Sequence, residues 1–324
     1  MILGVRERSF SPSQLYGPLT WLNVCEENME GDESKTIGNT SVSVGNPWIF
    51  FGGTFAITLG FWVLTILLGL SADTPVGILL LFLGLTGPGI AGIAFVYFVY
   101  DDPGQKDFWD RITNVRRIPA HWFLVILLLP LIVIPSAAII EIALGGTSAS
   151  LADWVTGADN LLLAILPTLF MATLVPLLEE TGWRGYALDR LQFRHSALIA
   201  SLILGVVWSL WHFPMFFVEG WHHHENIGFL TLEFWMFHIG IVWLSVVFTW
   251  VYNNTRRSII GAIVLHAVIN FTAQTFTLTG RAEVFHITLW FVVIVLITLI
   301  WGAKTFRKGN EMPHPPVAKR EGVI

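Results

Sequence analysis

Residues 160–185 read NLLLAILPTLFMATLVPLLEETGWRG. From Leu161 to Leu178 no side chain is charged, and a helix of that length nearly crosses the ~30 Å hydrocarbon core of a bilayer. Two carboxylates follow at once, Glu179 and Glu180, and an arginine, Arg184, stands four positions after the second. Ionisable groups at membrane depth are costly and usually functional. This one stretch therefore announces both a membrane span and a candidate site.

The rest of the chain repeats the first half of that message. Seven further apolar segments are long enough to span, which gives eight in all: roughly 48–70, 76–100, 120–144, 160–180, 196–217, 229–252, 258–276 and 284–303. The fold class is an all-α polytopic membrane helix bundle. The seventh segment is the shortest and most polar, so it is expected to pack inside the bundle. Composition agrees: 54% of the 324 residues are apolar, mean hydropathy is +0.66, and the charged fraction of 13% is about half that of a soluble domain. Fifteen Trp and 24 Phe suit membrane interfaces.

Around this membrane domain, placed at 47–304, lie a polar N-terminal tail (1–46) and a charged, Pro-rich C-terminal tail (305–324) expected to be disordered. Residues 1–46 hold no apolar run of the signal-peptide kind, so the first span is expected to direct insertion. Cys25 is the only cysteine, which excludes an intrachain disulfide and a thiolate metal cluster. The net charge of −5 comes with no basic stripe, which excludes nucleic acid as a partner.

Lys and Arg collect in cytoplasmic loops. With the N-terminus inside, that side receives the N-terminal tail (Arg6, Arg8, Lys35) and the second loop (Lys106, Arg111, Arg116, Arg117). It also receives the fourth loop (Arg184, Arg190, Arg194), the sixth (Arg256, Arg257) and the C-terminal tail. Only Arg281 of the 18 basic residues falls elsewhere. The expectation is a multi-pass integral membrane protein with both termini cytoplasmic, in the plasma membrane if the source is prokaryotic. Gln105–Ile118, with Phe108, Trp109 and Ile112 spaced by three and four among charges, is either a short interfacial helix or a plain basic loop.

On a helix, Glu180 and Arg184 share a face, while Glu179 points about 100° away. One carboxylate can pair with the arginine and leave its neighbour for other work. Two adjacent carboxylates in a low dielectric resist ionising together, which suits a general base. The competing reading is an acidic cap at the membrane edge. In the fifth segment, Trp208 and His212 are four apart, so the indole can wall the imidazole; in the seventh, His266 and Asn270 repeat that spacing. Polar groups on three spans must find partners among few others, and one shared cavity is the economical arrangement. It would offer a carboxylate to deprotonate water and donors for an oxyanion. Glu179, His212 and His266 could equally ligate a metal, zinc being the candidate. There is no His-Glu-x-x-His run, no Gly-x-Ser-x-Gly elbow and no membrane-embedded Asp pair. His222-His223-His224-Glu225 reads as a polar loop, with transition-metal binding as the alternative, His238 as a structural hydrogen-bonding group, and Glu141 and Glu233 as interfacial residues.

Glu-Glu-x-x-x-Arg, an aromatic-x-x-x-His and His-x-x-x-Asn, in that order on successive spans between about residues 160 and 275, resemble the CPBP family. This family comprises the type II CAAX prenyl endopeptidases and prokaryotic Abi relatives linked to bacteriocin processing and immunity. The resemblance implies an intramembrane endopeptidase acting on a peptide or protein, prenylated in part of the family. It implies Glu179 as the base that activates water, His212 sharing that water, and His266 with Asn270 at the oxyanion. Glu180, Arg184 and Trp208 become supporting residues, Trp208 standing where the family often has Phe. It leaves open a metal-free glutamate mechanism, which needs no cofactor, or a metalloprotease. The alternatives are a catalytically idle immunity or partner-binding relative, and a proton-coupled transporter, whose usual repeat symmetry is lacking. One tension stands: if the fourth span stops at 180, Glu179 lies at its edge while His212 lies deep. The fourth helix is therefore expected to continue to about Arg190 and the fifth to begin near Leu191.

Overall fold

The fourth apolar segment does not stop at the glutamates. In the computed structural model it runs as α6 (Leu161–Gly182), turns through a π-helical stretch (Trp183–Ala187) and continues as α7 (Leu188–Arg194). A π turn is rare and recurs at functional sites. The helix after it begins at Ala197 rather than near Leu191, so the extension lies wholly on the fourth segment. The structure describes residues 34–37, 40–43, 45–146, 150–151, 153–157, 160–278, 280–309 and 311.

The other elements are α1 (Pro47–Leu67), α2 (Pro75–Leu85), α3 (Gly87–Val99), α4 (Asp102–Thr113), α5 (Ala120–Ala143), α8 (Ala197–Trp211), α9 (Leu232–Asn254), α10 (Ile259–Thr275) and α11 (Gly280–Trp301). Among the described residues seven stretches are long and apolar enough to cross a membrane, α2 and α3 counting as one broken at Pro88. The eighth, α10, has 17 residues and reaches about 26 Å. Helix starts follow local chemistry. Asn46, Thr74, Asp101, Asn160, Ser196, Thr231 and Ser258 each accept a bond from a first-turn N–H, and Pro47, Pro75 and Pro103 need no such bond.

Residues 44–324 form one compact unit and residues 1–43 another. In the latter, Ser34–Ile37 and Thr40–Ser43 pair antiparallel; the remainder of the expected polar tail, Cys25 included, lies outside the described residues. The C-terminal tail does not begin free at 305. Thr305 and Phe306 are buried, and Asn253 and Asn254 donate to their carbonyls at 2.9 and 2.7 Å. Beyond 311 the tail lies outside the described residues.

Loop contacts test the alternation of ends. The first and fifth loops meet where Ala72 N–H donates to the Glu219 carbonyl. The third and seventh meet in a two-residue strand pairing, Ser150–Leu151 with Phe276–Thr277. At the other end the second loop, α7 and the sixth loop share one ion network. Arg111 pairs with Asp189 (3.1 Å) and Asp107 (3.0 Å), Arg257 pairs with Asp189 and Asp107, and Arg117 with Asp107 and Asp110. Burial lowers the Arg257 charge's comfort, yet Asp189 prevails and holds its guanidinium well above the ordinary range.

Two charged residues sit differently from expectation. Arg184 and Arg190 are not loop cations: both are buried within the long fourth helix. Glu141 stands in the last turn of α5, is 4% exposed and takes Arg281 at 2.5 Å, which explains the one basic residue on the far side. The 105–118 segment is α-helical as part of α4 (Asp102–Thr113) with a 3-10 turn at Val115–Arg117, and it docks into the bundle through Phe108 and Arg111, leaving Trp109 exposed.

The first half of α6 faces outward, with Leu162 at 77% and Phe170 at 62% exposure. From Glu179 to Gln192 it is buried throughout. Glycine explains the plunge. A Cβ on Gly182 would lie 2.1 Å from the Pro88 carbonyl oxygen, and one on Gly92 2.8 Å from the Gly182 Cα. Backbone packs against backbone there, as small residues permit in membrane helices. That contact sets Glu179 and Glu180 at the centre of the bundle.

Candidate active site

Depth along the helices now agrees. Glu179 lies 15 residues from the Arg194 end of its helix, and His212 lies 15 residues from Ala197, so each sits about 22 Å from that end. The extension past Glu180 supplies this match.

The two carboxylates divide as their 100° separation predicts. Glu180, fully buried, accepts from Arg184 Nη1 and from His266 Nδ1, both at 2.9 Å on Oε1. Arg184 is clamped between two aromatic faces, 4.6 Å from Trp208 and 4.2 Å from Phe248. His266 stands edge-on to the same two rings, 5.4 Å from each. Glu179 takes a different partner: the Trp208 indole N–H donates to its Oε2 at 2.6 Å. Among the described residues nothing bonds its second oxygen.

Trp208 also serves His212. The His212 Nδ1 lies 2.9 Å from the Trp208 carbonyl. A carbonyl only accepts, so Nδ1 carries the proton and Nε2 keeps a lone pair. Trp211 (4.8 Å) and Phe237 (5.3 Å) pack edge-on against this imidazole and hold its plane. Trp208 thus joins Glu179 and His212 through its ring nitrogen and its backbone, a larger role than a wall. Asn270, one turn beyond His266 on α10, is half-buried, and its amide has no hydrogen-bond partner among the described residues.

The candidate metal set was Glu179, His212 and His266. Among the described residues no three His, Cys, Asp or Glu side chains converge to hold an ion. His212 and His266 each tie Nδ1 to a protein group and leave Nε2 free, so it is convergence of the three side chains that is lacking. The residues present do not make a metal site as arranged, and no step below runs through one.

Several contributors escaped sequence reasoning. Phe248 and Phe237 are ordinary apolar letters. Asp189 was legible as an acid lying between Arg184 and Arg190, but its partners come from other helices: Arg111, Arg257 and the Tyr252 hydroxyl, which donates at 2.9 Å. Arg111 Nη2 also donates to the Gly185 carbonyl (3.1 Å), tying this network to the π turn. His238 is structural as expected, with Ser209 Oγ at 2.6 Å. Of the His222–Glu225 run, His222, His224 and Glu225 are exposed, but His223 turns inward to stack on His212.

Taken together, an all-helical membrane domain encloses a carboxylate with one uncommitted oxygen, two tautomer-fixed imidazoles and a buried guanidinium. That is the equipment of an intramembrane hydrolase. Residues 161–272 match the family described as type II CAAX prenyl endopeptidase Rce1-like. The chain is also 31% identical over 255 residues to a CAAX prenyl protease 2 of Methanococcus maripaludis, covering 78% of this chain and 93% of that one. The chain belongs to the CAAX prenyl endopeptidase family, and is an intramembrane endopeptidase by that membership.

Proposed function

We propose that this chain hydrolyses a peptide bond within the membrane with water activated by Glu179. The division of labour between the carboxylates carries this reading. Glu180 is paired with the Arg184 guanidinium and accepts a hydrogen bond from His266, whereas Glu179 has only a neutral indole donor and keeps one oxygen for water. Water held by that oxygen and by the His212 Nε2 lone pair gives its proton to Glu179 as its oxygen attacks the scissile carbonyl carbon. The proton then passes to the departing amine as the C–N bond breaks, and Glu179 is regenerated. His266 and Asn270 are assigned to the developing oxyanion, the former oriented by Glu180.

The substrate class follows from the relative's name: a C-terminal Cys-aliphatic-aliphatic-X segment whose cysteine carries a prenyl chain. The buried position of the site suits a substrate already held in the bilayer by its lipid. The Lys/Arg-rich end, where Arg111, Arg117 and Arg257 gather, is assigned to the cytoplasm.

The test is cleavage of a farnesylated peptide by wild type and Glu179→Ala. General-base loss predicts a fall of about 10²–10⁴ or more. Undiminished cleavage by the variant ends this mechanism. A zinc chelator in the same assay is expected to leave the wild-type rate unchanged.

A further inference from the structure

His223 is set apart from its neighbours. His222 bonds Asn226 (3.0 Å) and His224 bonds Glu225 (3.0 Å), both in solvent. His223 instead lies against His212, ring centroids 6.0 Å apart and planes 22° from parallel. Phe237 (4.8 Å) and Phe216 (5.3 Å) meet it edge-on, and Phe237 touches His212 as well. The loop that carries it is built rather than slack. Gly220 N–H donates to Glu225 Oε1 (2.8 Å), Gly228 N–H closes on the His223 carbonyl (3.0 Å), and both glycines adopt the left-handed φ the turns need.

Both ring nitrogens of His223 are buried and find no partner among the described residues. Leaving a buried donor or acceptor unmade is costly, and such groups in a native protein point to a partner supplied from outside. A neutral imidazole offers one donor and one acceptor, the same pair that an extended peptide backbone presents. The ring contacts of His223 are His212, His222, Phe216 and Phe237, and among the described residues no group of three His, Cys, Asp or Glu side chains converges to hold a cation. Burial, together with His212, His222 and His238 nearby, holds the His223 imidazole well below the usual range and so neutral.

We infer that His223 is a substrate-positioning residue, hydrogen-bonding the backbone of the peptide as it lies alongside His212. This rests on the reading of the site as a peptidase and adds a contact from the loop after α8.

The experiment separates binding from chemistry. A dye-labelled farnesylated peptide is titrated against full-length protein in nanodiscs, in the Glu179→Ala background, with His222→Ala as the exposed-neighbour control. His223→Phe keeps the aromatic packing and loses both nitrogens; His223→Gln keeps a donor and an acceptor. The expected result is about a tenfold rise in Kd for His223→Phe, substantial recovery for His223→Gln and none of the effect for His222→Ala. In the active background the loss should appear in KM, with kcat held within about twofold. An unchanged Kd for His223→Phe overturns the inference. So does an equal loss in both His223 variants that tracks a lowered thermal midpoint, since that marks packing alone. Should Glu179→Ala still cleave, the mechanism proposed above fails, while the Kd comparison still decides the role of His223.

Discussion

Replacing Glu180 by Gln keeps the shape of the side chain and removes the carboxylate that holds Arg184 and His266. Arg184 is fully buried, its Nη1 pairs with Glu180, and its Nε and Nη2 have no partner among the described residues. Removing one partner of a buried pair costs about 3–5 kcal/mol, because the remaining charge is left uncompensated. The Trp208 and Phe248 faces stay in place and offset roughly 1–2 kcal/mol of that. A net loss of about 1–4 kcal/mol is expected for Glu180→Gln. Arg184→Met loses a similar amount by stranding Glu180. The double variant strands neither, so it should be less destabilised than the sum of the singles by about 1.5–3 kcal/mol. The assay is reversible unfolding in mixed micelles for all four proteins, read by tryptophan fluorescence. Additivity within about 0.5 kcal/mol would refute the claim that this pair is a coupled, desolvated unit.

Three further outcomes are expected. Gly182→Ala drives a Cβ toward the Pro88 carbonyl, so the α3–α6 contact must open; the cost is about 1–3 kcal/mol by the same unfolding assay, with cleavage reduced because Glu179 shifts with its helix. Asp189→Asn leaves Arg111 and Arg257 sharing only the Asp107 carboxylate; a loss of up to about 3–5 kcal/mol is expected, and an unchanged unfolding midpoint would dismiss the network as a stabilising feature. The third concerns pH. The His223 imidazole is held neutral in the folded loop, whereas an unfolded histidine takes a proton near pH 6.5. The folded form therefore loses ground as pH falls below that value, by up to about 1.4 kcal/mol per unit. Limited proteolysis of the 219–228 loop should accelerate between pH 6.5 and 5 in wild type and much less in His223→Phe.

The local properties of the chain carried most of the architecture. Whether a segment can cross a bilayer depends on its length and apolarity alone, and the spacing of four that joins Glu180 to Arg184 is fixed by helix geometry. Those features stand in the letters around residues 160–185, as do the order of Trp208, His212, His266 and Asn270 and the alternation of charged loops. What the letters do not hold is the register of one helix against another. Glu179 reaches the depth of His212 because its helix runs on through a π turn to Arg194. It is set in the bundle by a glycine contact that carries no polarity signal. Arg184 and Arg190 read as loop cations because burial of a charge depends on partners from distant segments, such as Trp208 and Phe248 for Arg184. The same holds for His223: its two exposed neighbours share its letter, and only the folded loop turns one imidazole inward onto His212.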